Sequence, residues 1–168
     1  AQSRPFEDEC LKQGIPYRIY GGMSFYQRKE IKDIVAYFRL VCNNDDEEAL
    51  RRVIHYPARG IGATTIEKIA LAANNNNVSL WQVMTSAGRF GCGLNTAAAK
   101  KIQLFVDMIR QFAACLDSMN AYELGQKIIQ ESGIYKDLFA SSEPDDISRQ
   151  ENLEEFMAAL GDFVEEQR

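Results

Sequence analysis

The stretch YPARGIGATTIEK, residues 56–68, places two glycines around one isoleucine between two segments with helical periodicity. Glycine lacks a Cβ and adopts backbone angles that other residues rarely adopt, so Gly60 and Gly62 allow the chain to turn tightly. Ile61 can then fill the gap between the two helices. This layout predicts a helix-hairpin-helix and favours a fold built from helices.

The helix after this turn should begin with backbone N–H groups that have no partner within the helix, at the positive end of the helix dipole. Such an end favours a phosphate. Thr64 and Thr65 add hydroxyl donors, while Arg59 and Lys68 add positive charge. We therefore predict contacts with the phosphates of DNA rather than its bases, made by Arg59, Gly60, Ile61, Gly62, Thr64, Thr65 and Lys68. A tight turn without a ligand is the alternative interpretation.

A second stretch, FGCGLNTAAAKK at residues 90–101, repeats the order of apolar residue, glycine, apolar residue and glycine before a predicted helix. We expect Gly91 and Gly93 to form a second turn that holds another stretch of phosphates. Because this stretch has fewer donors than the first, its alternative role is packing alone. Two such turns in one small domain favour a module that binds duplex DNA through its backbone.

The remaining sequence predicts an all-α domain with one short strand. Helices are expected at residues 3–13, 25–41, 45–55, 64–73, 79–87, 95–119, 121–140 with a break at Gly133, and 147–168. The asparagine run at 74–77 is expected to be a loop. Residues 17–20 alternate as a strand with no partner strand, so they should pair with chain outside this sequence or extend as an arm. Gly21 and Gly22 predict a hinge after that strand.

Three basic residues of the helix predicted at 25–41 share one face. Arg28, Lys32 and Arg39, named here the basic stripe, recur at spacings of four and seven. The stripe is either a second DNA-contacting surface or a solvated face with Glu30 and Asp33 as local ion-pair partners. The spacing alone favours the solvated face.

The net charge of −5 hides an uneven distribution of charge along the chain. Residues 17–40 carry five Lys or Arg and two acids, and residues 51–70 carry four and one, whereas residues 141–168 carry nine acids and two bases. The distribution of charge indicates partners better than its sum does, so the basic segments are compatible with nucleic acid despite the acidic total.

The residue inventory argues against catalysis or a bound metal in this chain. Four cysteines lie far apart without a C-x-x-C pair, and His55, the single histidine, is expected at a helix end near the turn. No Gly-Lys-Ser/Thr loop is present, and residues 68–106 contain no acid that could assist base excision. We expect reduced thiols in a cytoplasmic protein without a membrane span. Since the sequence begins without Met inside a predicted helix, we also expect an excised piece of a longer protein.

Four blocks of the sequence, in this order, resemble consecutive blocks of the UvrD/PcrA/Rep group of superfamily 1 bacterial DNA helicases. They are AQSRPFEDE (1–9), IPYRIYGGMSFYQRKEIKDIVAYFRLVCN (15–43), YPARGIGATTIEKI (56–69) and SRQENLEEF (148–156). The resemblance implies that residues 1–21 end a stretch of the 2A motor subdomain. It also implies that residues 22–168 form most of the inserted 2B accessory subdomain.

The resemblance implies an ATP-dependent helicase that moves 3′ to 5′ on single-stranded DNA in repair or replication, with 2B contacting the duplex. The family's Gly-Ile-Gly hairpin holds duplex phosphates, which carries over to residues 60–62 and Thr65. Lys32 and Arg39 match positions expected to face the same duplex. The family's sites for ATP and Mg²⁺ lie outside this chain, so the fragment alone should be inactive.

Two functions of different classes follow for this chain. In the first, it binds double-stranded DNA at a single-strand/duplex junction through residues 59–68 and the basic stripe, with salt-dependent affinity. In the second, it is a regulatory domain that restrains the motor or docks a protein and binds little DNA itself. In both cases the remaining helicase subdomains are partners, and the fragment is expected to be monomeric.

Overall fold

The computed structural model describes residues 23–86 and 90–166, and every regular element within these ranges is a helix. The helices are α1 (Met23–Tyr26), α2 (Lys29–Cys42), α3 (Glu47–Ile54), α4 (Ala63–Asn76), α5 (Leu80–Thr85), α6 (Thr96–Ala114), α7 (Ala121–Ser132), α8 (Ile134–Phe139) and α9 (Pro144–Glu166). The predicted all-α class is confirmed. The predicted helix at 3–13, the strand at 17–20 and the hinge at Gly21 and Gly22 lie outside the described residues.

Helix α2 lies at the centre of the domain, where it packs against α3, α6, α7 and α9. Its apolar residues recur every three or four positions, so Ile31, Ile34 and Phe38 share a face that is buried in the core. Helix α4 packs on α5, and α5 packs on α6, so the segment after the first glycine turn joins the same core through α6. None of the described helices is both long and apolar enough to span a membrane.

Local sequence signals set several helix starts. The Asp46 side chain accepts from the Ala49 N–H at 3.0 Å, and Asn95 accepts from the Ala98 N–H at 2.8 Å. Ser79 forms a capping box with Gln82 at the start of α5. The predicted break at Gly133 is confirmed, since its φ of 103° separates α7 from α8 in a conformation that favours glycine.

The prediction of a loop at residues 74–77 is wrong for the first three asparagines, which belong to α4. The Asn76 side-chain amide donates to the Ala72 carbonyl at 2.8 Å within the helix. Asn77 ends the helix in the left-handed conformation, with a φ of 56°, and its N–H bonds back to the carbonyls of Ala73 and Asn74. Asparagine tolerates this conformation better than most residues, so one asparagine stops the helix rather than four.

Among the predicted helices whose bounds differ in the structure, two differ most. The helix predicted at 25–41 is divided, because Arg28 is extended (φ −68°, ψ 138°) between α1 and α2. The helix predicted at 95–119 stops at Ala114, where the Cys115 N–H bonds back to the carbonyls of Phe112 and Ala113. Both differences are local, and Ile31, Ile34 and Phe38 of α2 and Phe105 and Ile109 of α6 are buried in the core.

The acids Glu30 and Asp33 do not form the solvated face that was the favoured interpretation of the basic stripe. Both are buried, because the α2 face that carries them points toward α3 and α9. Asp33 pairs with Lys29 and Arg52, each at 2.7 Å, and the Glu30 carboxylate accepts from the Asn152 side chain at 2.6 Å. These acids therefore join helices in the core, and neither neutralises the stripe.

Candidate nucleic-acid interface

The first glycine turn has the geometry that the sequence predicts. Gly60 has a φ of 78°, in the left-handed region, and Gly62 is extended (φ −99°, ψ 177°) at the N-cap of α4. Ile61 between them is buried and belongs to the hydrophobic core. The exposed glycines and the buried isoleucine place the turn at the surface while fixing it to the interior.

The N-terminus of α4 is open. A glycine at the N-cap has no side chain that could accept from the first turn, and the first bond of the helix runs from the Ile66 N–H to the Gly62 carbonyl at 3.3 Å. The N–H groups of Ala63, Thr64 and Thr65 therefore have no acceptor among the described residues. Thr64 is exposed and Thr65 is half-buried beside them. This end of the helix offers backbone donors and a positive dipole to solvent.

Arg59 points away from that open end. Its Nη2 donates to the Tyr37 hydroxyl at 2.6 Å, to the Tyr56 carbonyl at 2.8 Å and to the Val53 carbonyl at 3.2 Å. Its guanidinium lies over the Phe105 ring, 5.2 Å from the centroid. The structure thus separates Arg59 from the other residues predicted at the turn, because its donors are directed to the domain itself.

Two tyrosines support the segment before the turn. The Tyr37 hydroxyl donates to the Tyr56 carbonyl at 2.6 Å, and burial raises the pKa of Tyr37 above its ordinary value. The Tyr56 hydroxyl donates to Asp137 at 3.0 Å, and the Lys29 ammonium lies 3.8 Å from the centre of its ring. Burial, followed by the Asp137 charge, raises the pKa of Tyr56 as well. Both hydroxyls are neutral donors near neutral pH.

The second turn matches the first in a different register from the predicted one. Gly93, with a φ of 75°, is the counterpart of Gly60, and Asn95 at the N-cap of α6 is the counterpart of Gly62. Gly91 also has a positive φ, 57°, but it precedes the matched segment. The Asn95 side chain already accepts from the Ala98 N–H, so the N-terminus of α6 is capped where that of α4 is open.

Two lysines join the turns reciprocally. Lys101 of α6 donates to the Gly60 carbonyl at 3.4 Å, and Lys68 of α4 donates to the Gly93 carbonyl at 3.5 Å. We call Lys68 and Lys101 the crossed lysines. Lys68 follows Gly60 at the same spacing as Lys101 follows Gly93. The lysine of each helix therefore contacts the turn that precedes the other helix. Both contacts are long and both lysines are exposed, so either ammonium can exchange its carbonyl for an anion.

Lys101 is the residue that the sequence interpretation left out of the site. The signal is present in the sequence, since Gly60, Lys68 and Leu71 recur at one constant spacing as Gly93, Lys101 and Leu104. An alignment of the two Gly-x-Gly motifs instead pairs Gly60 with Gly91, and this pairing conceals the recurrence. Backbone angles reveal the correct register.

The basic stripe lies apart from the turns. The Lys32 side chain is exposed and makes no hydrogen bond or ion pair with the described residues, whereas Arg39 pairs with Asp46 at 2.9 Å and Glu48 at 3.2 Å. Arg28 bonds to the Asn152 side chain and lies near the Phe25 ring. Lys32 and Arg39 line a groove between α2 and α3. Within the described ranges, no hydrogen bond or ion pair joins the stripe to either turn.

His55 occupies the position that the sequence predicts. It forms the C-cap of α3, and its Nδ1 lies 3.1 Å from the Ile61 carbonyl. A histidine nitrogen at this distance forms a hydrogen bond that ties the end of α3 to the turn. His55 is therefore part of the support of the hairpin.

A family profile described as the UvrD-like helicase C-terminal domain matches residues 1–168. The chain belongs to this family. The UvrD-like domain is 39% identical to the ATP-dependent DNA helicase PcrA of Bacillus subtilis over 163 residues, which are 97% of this chain and 22% of that relative. It is 37% identical to PcrA of Leuconostoc citreum, with the same coverage, and 36% identical to PcrA of Staphylococcus epidermidis over 166 residues.

These matches confirm the predicted relationship to UvrD/PcrA-type helicases. The UvrD-like domain spans about a fifth of the length of the relatives, 22% in each case. The assignment of residues 22–168 to the 2B subdomain, and of residues 1–21 to 2A, remains a prediction.

Proposed function

We propose that this chain is the duplex-contacting 2B accessory subdomain of an ATP-dependent DNA helicase that unwinds DNA 3′ to 5′ in repair or replication. The observation that carries the proposal is the open N-terminus of α4 after a glycine turn. Three adjacent backbone N–H groups that have no acceptor among the described residues lie at the positive end of a helix of 14 residues, and such an end suits a backbone phosphate. A contact with a backbone phosphate recognises its charge and does not depend on the DNA sequence.

The surroundings of the open end are also suited to DNA. The crossed lysines bring positive charge to both turns, and residues 68–106 contain no Asp or Glu. A surface of this kind binds a polyanion with an affinity that falls as salt rises. The proposed contacts are Gly60, Ile61, Gly62, Thr64, Thr65 and Lys68 at the first turn, with Gly91, Gly93 and Lys101 at the second.

The basic stripe contributes more weakly in this proposal. Lys32 is unpaired in the described part of the chain and remains available to a phosphate. Arg28 and Arg39 must first give up their contacts with Asn152 and with Asp46 and Glu48. We therefore place Lys32 ahead of the two arginines as a duplex contact.

ATP and Mg²⁺ belong to the longer protein in this proposal. The relatives are named ATP-dependent, but this chain has no Gly-Lys-Ser/Thr loop that would hold a nucleotide phosphate. Its own residues contribute binding and orientation of the duplex. We expect no ATP hydrolysis from the 168-residue chain alone.

A protein-contacting function is the second candidate. It is favoured by two large apolar side chains at matched positions, Leu71 of α4 and Leu104 of α6, which are 62% and 61% exposed. Such residues suit a contact with another helicase subdomain or with a protein that restrains the motor. This function requires little DNA binding from the chain itself.

Fluorescence anisotropy with a labelled duplex that carries a 3′ single-stranded tail separates the two candidates. The unaltered chain is compared with the double variant Gly62→Val and Thr65→Ala, at low and moderate salt. Gly62 is extended and has open space around the position of an added Cβ, so valine is compatible with its backbone. The variant keeps every charge, and Thr85→Ala on α5 is the control for a lost hydroxyl.

Duplex binding predicts that the double variant loses at least about tenfold in affinity while its melting temperature is retained. It also predicts that log Kd for the unaltered chain varies with log salt, by about 0.9 for each phosphate neutralised by a basic residue. Equal binding by the two proteins, or no binding by the unaltered chain, would transfer the proposal to the protein-contacting function.

A further inference from the structure

We propose that Arg59 is a positioning residue for the DNA-binding turn and makes no contact with the phosphate itself. This inference rests on the function proposed above and specifies how the site is held. Arg59 is the residue immediately before Gly60, and its charge suggests a direct phosphate contact. Its geometry in the structure assigns it a different task.

The guanidinium connects three helices to the start of the turn. It bonds to the Tyr37 hydroxyl of α2 and to the Val53 carbonyl of α3, and it lies against Phe105 of α6. The fourth partner, the Tyr56 carbonyl, belongs to the segment that enters the turn. Because Gly60 follows Arg59 directly, these contacts fix the position of Gly60, the first residue of the turn, relative to the core.

The contacts also satisfy the end of α3. The last carbonyls of a helix have no partner within it and favour a positive charge. Val53 lies in the last turn of α3, and Tyr56 follows just after the helix. Arg59 bonds to both carbonyls, while Tyr37 donates a further hydrogen bond to the second of them at 2.6 Å. A phosphate would have to compete with all of these acceptors for one guanidinium.

The inward orientation leaves the Arg59 side chain little freedom to reach solvent. Its Nε is buried and has no hydrogen-bond acceptor in the described part of the chain, and its Nη1 faces the Met108 sulfur at 3.8 Å. A planar guanidinium can lie on a ring and donate along several edges at once, whereas a lysine ammonium cannot. Replacing Arg59 by lysine therefore keeps the charge and removes the geometry.

The test uses duplex affinity and its salt dependence in Arg59→Lys, Arg59→Gln and Tyr37→Phe. Arg51, which is exposed on α3 and paired with Glu47, supplies the matched controls Arg51→Lys and Arg51→Gln. All proteins are measured at least 10 °C below their melting temperatures, a margin of about that size being enough to keep them folded. The amide resonances of Gly60, Gly62 and Gly93 are recorded in the same samples.

We expect Arg59→Lys to lose about tenfold in affinity with an unchanged salt slope, because no charge is removed. Arg59→Gln should lose a similar amount, again without a decrease of the slope by about 0.9. Tyr37→Phe should lose affinity, and its combination with Arg59→Lys should lose less than the sum of the two. The amide resonances of Gly60 and Gly62 should move in these variants, and that of Gly93 should not.

A direct phosphate contact predicts the reverse. Parental affinity in Arg59→Lys, together with a decreased salt slope in Arg59→Gln, would overturn this inference and leave the proposed function standing. Unmoved Gly60 and Gly62 resonances in Arg59→Lys would overturn it as well. Failure of the unaltered chain to bind duplex would instead overturn the proposed function, and the inference with it.

Discussion

The two glycine turns have nearly the same backbone and different N-caps. Gly60 and Gly93 have φ values of 78° and 75°, and the residue at the following N-cap is extended in both. At the first turn that residue is Gly62, which leaves the helix end open, whereas at the second it is Asn95, whose side chain bonds to the helix. The same turn geometry therefore leaves the donors of one helix free and those of the other occupied, because the N-cap residue decides whether they remain free.

The turns differ also in their support. Arg59, Tyr37 and His55 bind the first turn or the segment that enters it, and Ile61 is buried beneath it. In the described residues, the contacts of the second turn with other segments are fewer, and its Leu94 is only half-buried. The turn with the open helix end is thus the one that the domain holds more firmly.

The largest effect that distinguishes the turns should come from valine at the two left-handed glycines. An L-residue in this conformation costs about 1–2 kcal/mol. A Cβ at Gly60 would also lie 2.9 Å from the Lys101 ammonium, whereas none of the atoms described lies within 4 Å at Gly93. In urea unfolding, Gly60→Val should therefore lower the free energy of unfolding by more than Gly93→Val. Equal losses would show that Lys101 moves away without cost.

Alkaline pH should destabilise the domain through Tyr37, which supports the segment before the first turn. The folded pKa of Tyr37 is raised by burial, so its contribution to stability is complete below about pH 10, the ordinary pKa of tyrosine, and declines as pH rises above it. The decline for one such group is at most about 1.4 kcal/mol per pH unit. Urea unfolding at pH 9, 10 and 11 should show a shallower decline in Tyr37→Phe.

The crossed lysines should contribute equally if the two turns act as a pair. Lys68→Gln and Lys101→Gln should each decrease the salt slope of duplex binding by about 0.9 and lower affinity by several-fold at low salt. Lys136→Gln on α8 is a charge-matched control at an exposed position. An effect confined to one of the two lysines would show that only one turn meets DNA.

The smallest effects are expected from variants that exchange the N-cap residues of α4 and α6. Gly62→Asn should raise stability by a few tenths of a kcal/mol and lower duplex affinity, since the new side chain would occupy the donors at the start of α4. Asn95→Gly should lower stability by a similar few tenths and raise affinity by opening α6. Anisotropy and urea unfolding of both variants measure the two opposite changes. Affinities that follow stability in the same direction would refute the role given to the caps.

The sequence predicts most of the fold because its helix starts and stops are local. Asp46, Ser79 and Asn95 cap the helices that they precede. The positive φ of Gly133 is by itself enough to break the helix there. The family resemblance and the Gly-Ile-Gly hairpin also depend on short, contiguous segments. Such features are visible in a sequence because the interacting residues are neighbours in it.

The errors arise where distant segments meet. Glu30 and Asp33 are charged, and the sequence suggests that they are solvated. In the structure they are buried, where Asn152 donates a hydrogen bond to Glu30 and Arg52 forms an ion pair with Asp33. Spacing likewise does not reveal the acceptors of Arg59, which lie on α2 and α3. In the same way, the correct register of the second turn required the backbone angles of Gly93. Tertiary packing supplied each of these facts.

The anchoring of Arg59 also has a consequence for the order of folding. Tyr37 belongs to α2, Phe105 to α6, and Arg59 to the segment after α3, so the three residues meet only after α2, α3 and α6 have packed. Isolated helices form much faster than such distant contacts. An excised segment 47–76 would contain Gly60 and Gly62 but neither Tyr37 nor Phe105, and a chain with α6 undocked would lack the contact with Phe105. Recognition of DNA would thus develop late in refolding, which makes duplex binding a reporter of the completed domain.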